Sequence, residues 1–116
     1  MPVTIYGIKN CDTMKKAFTW LKDHDIGYDF HDYRVEGIDA ARVEAWSKTL
    51  GWEKVLNRAS TTFKELADTD KADLDEAAAI RLMVRNPTMI KRPVLVAGDG
   101  VTAGFKPDIY ASIFQR

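Results

Sequence analysis

The sequence predicts an α/β fold in which a βαβ unit and a ββα unit share one mixed four-stranded sheet, with a helical insertion between them. Three features predict this arrangement. The chain opens with a strand pattern, a helix pattern and a second strand pattern, which together form a βαβ unit. The middle of the chain carries helical periodicity, and near its end two short apolar runs flank a glycine-rich turn. Parallel strands joined by a helix need both faces covered, and further helices supply that cover.

The predicted βαβ unit occupies roughly the first third of the chain. Residues 3–6 form a short apolar run closed by Gly7, which indicates a buried strand followed by a loop. Residues 28–33 alternate so that Tyr28 and Phe30 share a side, as in a half-buried strand. Between these strands, residues 13–23 place their apolar side chains on one helical face: Met14, Ala17, Phe18 and Leu21.

The helical insertion is predicted at about residues 36–88. Asp39 is a suitable N-cap for a helix that Gly51 ends, and residues 62–66 suit a short helical turn. Asp73 with Glu76 forms a variant of the capping box for a second helix that ends before Asn86. The predicted buried faces of the two long helices consist of Val43, Trp46 and Leu50 in the first and Ala77, Ile80, Met83 and Val84 in the second.

The last segment supplies the ββα unit. Residues 94–97 and 101–103 flank Gly98-Asp99-Gly100, a good hairpin turn. Pro107 suits the first turn of a terminal helix that ends near Phe114. The resulting order of elements is the thioredoxin-like plan, which we predict as one domain over residues 1–116.

Composition excludes several classes of protein. Seventeen basic and seventeen acidic side chains cancel, so the positive balance typical of a protein that binds nucleic acid is missing. No apolar run is long enough to cross a membrane, and the N-terminus lacks the pattern of a secretory signal. One cysteine excludes an internal disulfide, and with two histidines it offers no metal-ligand spacing. We expect a soluble cytoplasmic monomer without a metal ion or bound cofactor.

Cys11 lies between the first predicted strand and the first predicted helix. A cysteine reacts as a thiolate, and the N-H groups at a helix start, with Lys15 one turn on, favour negative charge there. Asp12 opposes this unless its carboxylate turns away to cap the helix, and Thr13 is the other possible cap. A buried packing role is the alternative, but the position favours a nucleophile. Met14 stands where a dithiol motif has its second cysteine, so an external thiol must resolve any intermediate.

Six segments carry a resemblance to a known family. They are YGIKNCDTMKKA at residues 6–17, FHDYR at 30–34, GWEKVLNR at 51–58, TTFKEL at 61–66, MIKRPVLV at 89–96 and GFKP at 104–107. In this order they resemble the arsenate reductase (ArsC) family, and within it the YffB branch. The resemblance covers essentially the whole chain.

The resemblance implies a site around Cys11 as nucleophile. Arg92 matches an arginine that holds the anionic substrate, and Arg58 lies within a residue of another. Lys106 stands where a third arginine is expected, although lysine cannot form the planar bidentate fork. Asn10, in the loop before Cys11, and Lys15 are further expected contributors to binding. Pro93 is expected to shape the site through a cis peptide bond with Arg92. A histidine that the reductases carry ahead of this loop is replaced by Gly7.

These features predict a glutathione-dependent thiol reductase, with glutathione as co-substrate and glutaredoxin as a possible partner. One alternative is a true arsenate reductase linked to glutaredoxin. The other is a non-enzymatic regulator that binds RNA polymerase, as the related Spx proteins do, although Met14 removes their C-x-x-C switch. His24, His31 and Trp20 are interpreted as structural residues.

Overall fold

The computed structural model describes residues 2–116 and contains the predicted order of strands and helices. Several short helices were not predicted. The bounds are β1 (Val3–Gly7), α1 (Asp12–Asp23), β2 (Asp29–Asp32), α2 (Tyr33–Glu36), α3 (Ala40–Leu50), α4 (Trp52–Val55), α5 (Thr61–Lys64), α6 (Asp68–Lys71), α7 (Glu76–Arg85), a 3-10 turn (Pro87–Met89), β3 (Val94–Ala97), β4 (Gly100–Ala103) and α8 (Pro107–Phe114).

The four strands form one mixed sheet in the order β2-β1-β3-β4. β1 runs parallel to β2, whereas β3 is antiparallel to both β1 and β4, which confirms the predicted thioredoxin-like arrangement. Tyr6, near the end of β1, lies opposite His31 in β2 and opposite Val94 at the start of β3. The end of β1 and the start of β3 therefore meet at the same end of the sheet.

The β3–β4 hairpin turns through two residues, because Ala97 pairs with Gly100. Gly98 has a φ of 59°, whereas Asp99 does not have a positive φ. A positive φ at the first loop position alone is the pattern of a type II′ turn, which favours glycine there. The hairpin was predicted, and its turn is one residue shorter than the three residues assigned to it.

The contacts divide the chain into two compact units. The sheet unit comprises residues up to Asp32 together with Arg92–Arg116, and the helical unit comprises Tyr33–Lys91. The helical unit corresponds to the insertion predicted at about residues 36–88. That the two units make one domain remains a prediction.

Two helices and one face of the sheet form the core of the sheet unit. The buried face of α1 is the predicted one, with Phe18 partly buried beside it. Tyr110 of α8 is fully buried in the same cluster. The other buried members of this cluster are Val3, Ile5, Met14, Ala17, Leu21, Leu95 and Ala97.

Side-chain caps begin the main helices of the helical unit. Asp39 caps α3, as predicted, by accepting a hydrogen bond of 2.7 Å from the backbone N–H of Arg42. Ser60 accepts from the N–H of Phe63 at the start of α5. Each cap satisfies one of the N–H groups that a helix start leaves without a partner.

The start and buried face of α7 differ from the prediction. Asp75, not Asp73, is the N-cap, and it accepts a hydrogen bond of 2.8 Å from the N–H of Ala78. Asp73 has a φ of 52° and cannot cap a helix, because an N-cap needs an extended backbone. The buried face of α7 is also different from the predicted one and consists of Ala79, Leu82 and Met83; of the predicted set, Met83 alone is buried.

Among the described residues, 2–116, no helix combines the length and the apolar character needed to cross a membrane.

The second strand is shorter than predicted. It spans Asp29–Asp32, because Tyr33 begins α2.

Candidate active site

Cys11 is the residue that begins α1. It has extended backbone angles, φ −140° and ψ 130°, and its carbonyl oxygen accepts a hydrogen bond of 2.9 Å from the N–H of Lys15. Its side chain makes no capping hydrogen bond and is half-buried against the core of the sheet unit. Asp12 and Thr13 were the expected caps, but both lie inside the helix. The Cys11 sulfur is therefore not engaged by its own helix and remains accessible.

Gly7 and Met14 form a close contact beneath the Cys11 loop. Met14 is 0% exposed. A Cβ atom added at Gly7 would overlap Sδ of Met14 and lie 2.6 Å from its Cε, closer than real Cβ contacts. Only glycine fits at residue 7 while Met14 keeps this position. The contact gives a physical reason why no histidine stands at residue 7 in this loop.

Arg92 and Pro93 lie at the same end of the sheet as the Cys11 loop. The peptide bond between them is cis, as the resemblance implied. Pro93 is buried, and its carbonyl oxygen accepts a hydrogen bond of 2.8 Å from the N–H of Gly104, the residue after β4. Arg92 is half-buried. Because Val94 pairs with Tyr6, the start of β3 and the end of β1 position these segments together.

The other residues expected to bind the substrate lie in different parts of the structure. Lys106 is the exposed N-cap of α8 and follows Gly104 by two residues, so it belongs to the same end of the sheet unit. Asn10 and Lys15 are exposed on either side of Cys11. Arg58 belongs to the helical unit, where its guanidinium carbon lies 5.5 Å from the ring centre of Trp52. Its part in a site with Cys11 stays a prediction.

The two histidines make aromatic contacts. His31 lies opposite Tyr6, and their ring centres are 4.8 Å apart. Tyr6 faces away from the side of the sheet that Ile5 shares with α1, because neighbouring strand residues alternate. His24 ends α1, with its ring 3.8 Å from that of Trp20 and its Nδ1 2.7 Å from the Trp20 carbonyl oxygen. His24 lies at the opposite end of α1 from Cys11 and is therefore not placed to form a pair with it.

No cluster of three histidine, cysteine, aspartate or glutamate side chains suited to a metal ion occurs within residues 2–116. The side chains that this end of the sheet unit brings together include the thiol of Cys11, the guanidinium of Arg92 and the ammonium groups of Lys15 and Lys106.

Comparison with known proteins identifies the family. The sequence profile of the ArsC family matches residues 6–113. The chain belongs to the ArsC family. A solved structure of a YffB protein is 57% identical, covers 95% of this chain and 96% of its own, and superposes with a TM-score of 0.93. These findings confirm both the resemblance and the fold.

Two further ArsC-related comparisons bear on function. A solved arsenate reductase (ArsC) related protein from Brucella melitensis is 52% identical, covers 100% of this chain and 97% of its own, and has a TM-score of 0.77. The global transcriptional regulator Spx of Streptococcus mutans is 25% identical over 117 residues, which span 98% of this chain and 84% of that protein. The chain is thus similar both to a protein named after an enzyme and to a protein named as a transcriptional regulator.

Proposed function

We propose that this ArsC-family protein is a thiol reductase in which Cys11 attacks a disulfide and an external thiol, glutathione, resolves the intermediate. The observation that carries the proposal is the placement of Cys11. It is the N-cap of a twelve-residue helix, yet its sulfur makes no capping bond. The N–H groups of the first turn consequently favour negative charge beside a sulfur that a substrate can reach.

The proposed reaction has three exchange steps, of which the first two involve Cys11. The Cys11 thiolate attacks one sulfur of the substrate disulfide, the sulfur–sulfur bond breaks, and the other substrate half leaves as a thiolate. A glutathione thiolate then attacks the substrate sulfur of the mixed disulfide, which restores the Cys11 thiolate and leaves that half joined to glutathione. A second glutathione releases it and forms oxidised glutathione. Two electrons pass from two glutathione molecules to the substrate, and solvent protonates the thiolates.

The cationic side chains supply the binding part of the proposal. Arg92, Lys106 and Lys15 attract the carboxylates of glutathione, and the N–H groups around Asn10 add hydrogen bonds, as helix starts do for anions. Arg58 is proposed as a further contributor. Glutathione acts as a co-substrate, so no resident cofactor is part of the mechanism. A reducing cytoplasm, with its glutathione pool, is the proposed compartment.

Mass spectrometry of the intact protein after treatment with oxidised glutathione tests the proposal. We expect one glutathione per chain, attached at Cys11 and removed by reduced glutathione. Cys11→Ser abolishes the adduct, whereas Arg92→Ala slows its formation about tenfold while the reaction with a small neutral disulfide is less affected. A sulfur that reacts with oxidised glutathione no faster than a free cysteine in a denatured chain would overturn the proposal.

Arsenate reduction is a second candidate function. It is supported by the Brucella melitensis relative, which is described as arsenate reductase related. Lys106 argues against it, because an ammonium group cannot reproduce the bidentate fork of an arginine on an oxyanion. Arsenate turnover with glutathione and glutaredoxin, measured beside the disulfide assay, distinguishes the two. Arsenate turnover by the wild-type protein that exceeds its disulfide turnover would favour the arsenate function, whereas arsenate turnover that appears only in Lys106→Arg would count against it.

Binding to RNA polymerase is a third candidate and would make the protein a regulator. The likeness to Spx over nearly the whole chain favours it. Met14 argues against a redox-switched regulator, since it fills the place of the second cysteine and is fully buried. Binding of purified polymerase that is equal for the wild type and Cys11→Ser would support this function over the enzymatic one.

A further inference from the structure

A groove runs along the exposed side of α1 beside the segment that leads into α8. Lys15, Lys16, Trp20 and Asp23 line it from α1, and Phe105 and Pro107 line it from the other side. Its volume is about 440 Å³, within the range of ligand sites in proteins. All of these residues belong to the sheet unit.

The two aromatic side chains that line the groove pack against one buried side chain. The rings of Trp20 and Phe105 each meet Tyr110 edge-on, with ring centres 5.6 and 4.7 Å away. Tyr110 itself is 0% exposed. Both rings pack against the buried Tyr110 side chain and remain partly exposed. The groove therefore has two aromatic surfaces that are ordered before a ligand binds.

Cys11 precedes the groove on the same side of α1, one turn before its first lining residue. Residues four apart on a helix share a face, so Cys11, Lys15 and Thr19 follow one another along α1, and Thr19 lines the groove as well. From Lys15 to Asp23 the helix rises about 12 Å, at about 1.5 Å per residue. An extended peptide of about three to four residues spans that length.

The charges along the groove change sign. Lys15 and Lys16 lie at the end near Cys11, and Asp23 lies at the far end. All three are exposed, and none forms an ion pair within the described chain. A ligand that complements this order is acidic next to its sulfur, apolar in the middle and basic beyond.

We propose that this groove binds the peptide segment that carries the disulfide of the substrate, which makes the substrate class a protein or peptide disulfide. The segment has the order cysteine, acidic residue, aromatic residue, basic residue, with the aromatic side chain between Trp20 and Phe105. The inference rests on the proposed thiol chemistry of Cys11 and adds the substrate's identity. In the reaction, the Cys11 thiolate bonds to the sulfur of the bound peptide, and the other half of the disulfide leaves as a thiolate.

Four-residue peptides with blocked ends, each joined through its cysteine to thiopyridine, test the groove. Attack by Cys11 on the peptide sulfur releases thiopyridine, whose absorbance gives the rate. We expect Cys-Glu-Phe-Lys, or the same order in the opposite chain direction, to react about tenfold faster than Cys-Lys-Phe-Glu. The two peptides have the same composition and net charge, so a difference reports the order of charges. Replacing the phenylalanine by alanine is expected to slow the faster peptide severalfold.

Variants of α1 assign the preference to the groove. Each peptide rate is divided by the rate of the same variant with dithiodipyridine, a small uncharged disulfide. Lys16→Glu combined with Asp23→Lys leaves the net charge unchanged and is expected to reverse the peptide preference. Lys22→Glu alters an exposed lysine of the same helix that does not line the groove, and the preference is expected to persist.

The outcomes separate this inference from the proposed function. Rapid reaction of Cys11 with oxidised glutathione and dithiodipyridine, without a difference among the peptides in either chain direction, overturns the groove and leaves the thiol reductase standing. A preference that persists in the charge-swapped variant also overturns the groove. A Cys11 that is inert to all three kinds of disulfide overturns the proposed function itself.

Discussion

The helices of the two units begin in different ways. In the helical unit, Asp39, Ser60 and Asp75 each accept a hydrogen bond from their own helix. In the sheet unit, α1 begins at Cys11 and α8 at Lys106, and neither side chain caps its helix. The unit that carries the proposed chemistry therefore leaves first-turn N–H groups of α1 and α8 free for a thiolate or an anion, whereas α3, α5 and α7 of the helical unit use one such group each for a stabilising cap.

The packing beneath Cys11 gives the largest expected effect. Met14→Ala should lower the free energy of unfolding by about 2–5 kcal/mol, because it empties a fully buried site. Gly7→Ala should cost less, about 1 kcal/mol, because its new Cβ overlaps the flexible end of the Met14 side chain, which has to shift. Urea unfolding of the single and double variants measures both effects.

The double variant is the decisive member of this set. Because Met14→Ala removes the side chain that blocks a Cβ at residue 7, the loss in the double variant should be smaller than the sum of the two single losses. Strictly additive losses would show that Gly7 and Met14 do not constrain each other.

The parts of this site that the sequence predicts are those set by local patterns. The position of Cys11 between a strand and a helix follows from the apolar run before it and the helical spacing after it. Arg92 and Pro93 were placed by family resemblance together with the order of strands. The contact between Gly7 and Met14 was missed, because it depends on how the intervening loop turns and not on the pattern of either flanking segment.

The groove beside α1 was missed for a similar reason. Trp20 was interpreted as core packing, and Phe105 and Pro107 belong to a segment more than eighty residues further along the chain. Their meeting depends on the packing of α8 against α1. In the helical unit, the error at Asp73 was local: two aspartates two residues apart compete as caps, and the backbone at Asp73 decides between them.

Tyr110, a buried tyrosine of the sheet unit, makes stability depend on pH in the alkaline range. The hydroxyl of Tyr110 has no hydrogen-bond partner within residues 2–116, and burial raises the pKa of this phenol well above its usual value of 10.0. Above pH 10 the unfolded chain releases the proton while the folded chain keeps it. Stability should therefore fall with rising pH, by about 1.4 kcal/mol per pH unit from this one group.

Tyr110→Phe removes that dependence. We expect the variant to be as stable as the wild type or more stable near neutral pH, because it removes an unpartnered buried group, and to lose less stability above pH 10. Tyr28→Phe, at a side chain 36% exposed, is the matched control and should keep the wild-type slope. Urea unfolding across this pH range measures the slopes, and equal slopes for Tyr110→Phe and the wild type would contradict the assignment.

The smallest expected effects test the difference in helix capping between the two units directly. Asp75→Ala should lower the free energy of unfolding by about 1 kcal/mol, because it removes the cap of α7. Cys11→Ser should raise it by about 0.5 kcal/mol, because serine is a preferred N-cap and the backbone at residue 11 is already extended. Thermal or urea unfolding of both variants shows whether each substitution lowers or raises the free energy of unfolding.

Two controls make the signs interpretable. Asp73→Ala removes an aspartate two residues from the true cap and should change stability by less than about 0.5 kcal/mol. Cys11→Ala removes the sulfur without adding a cap, so it should lack the gain of Cys11→Ser. A serine at residue 11 that stabilises α1 while abolishing the thiol reaction would show that the sheet unit gives up helix stability to keep a reactive sulfur at this position. If Cys11→Ser is no more stable than Cys11→Ala, the first turn of α1 has no capping stability to gain, and the contrast between the two units fails.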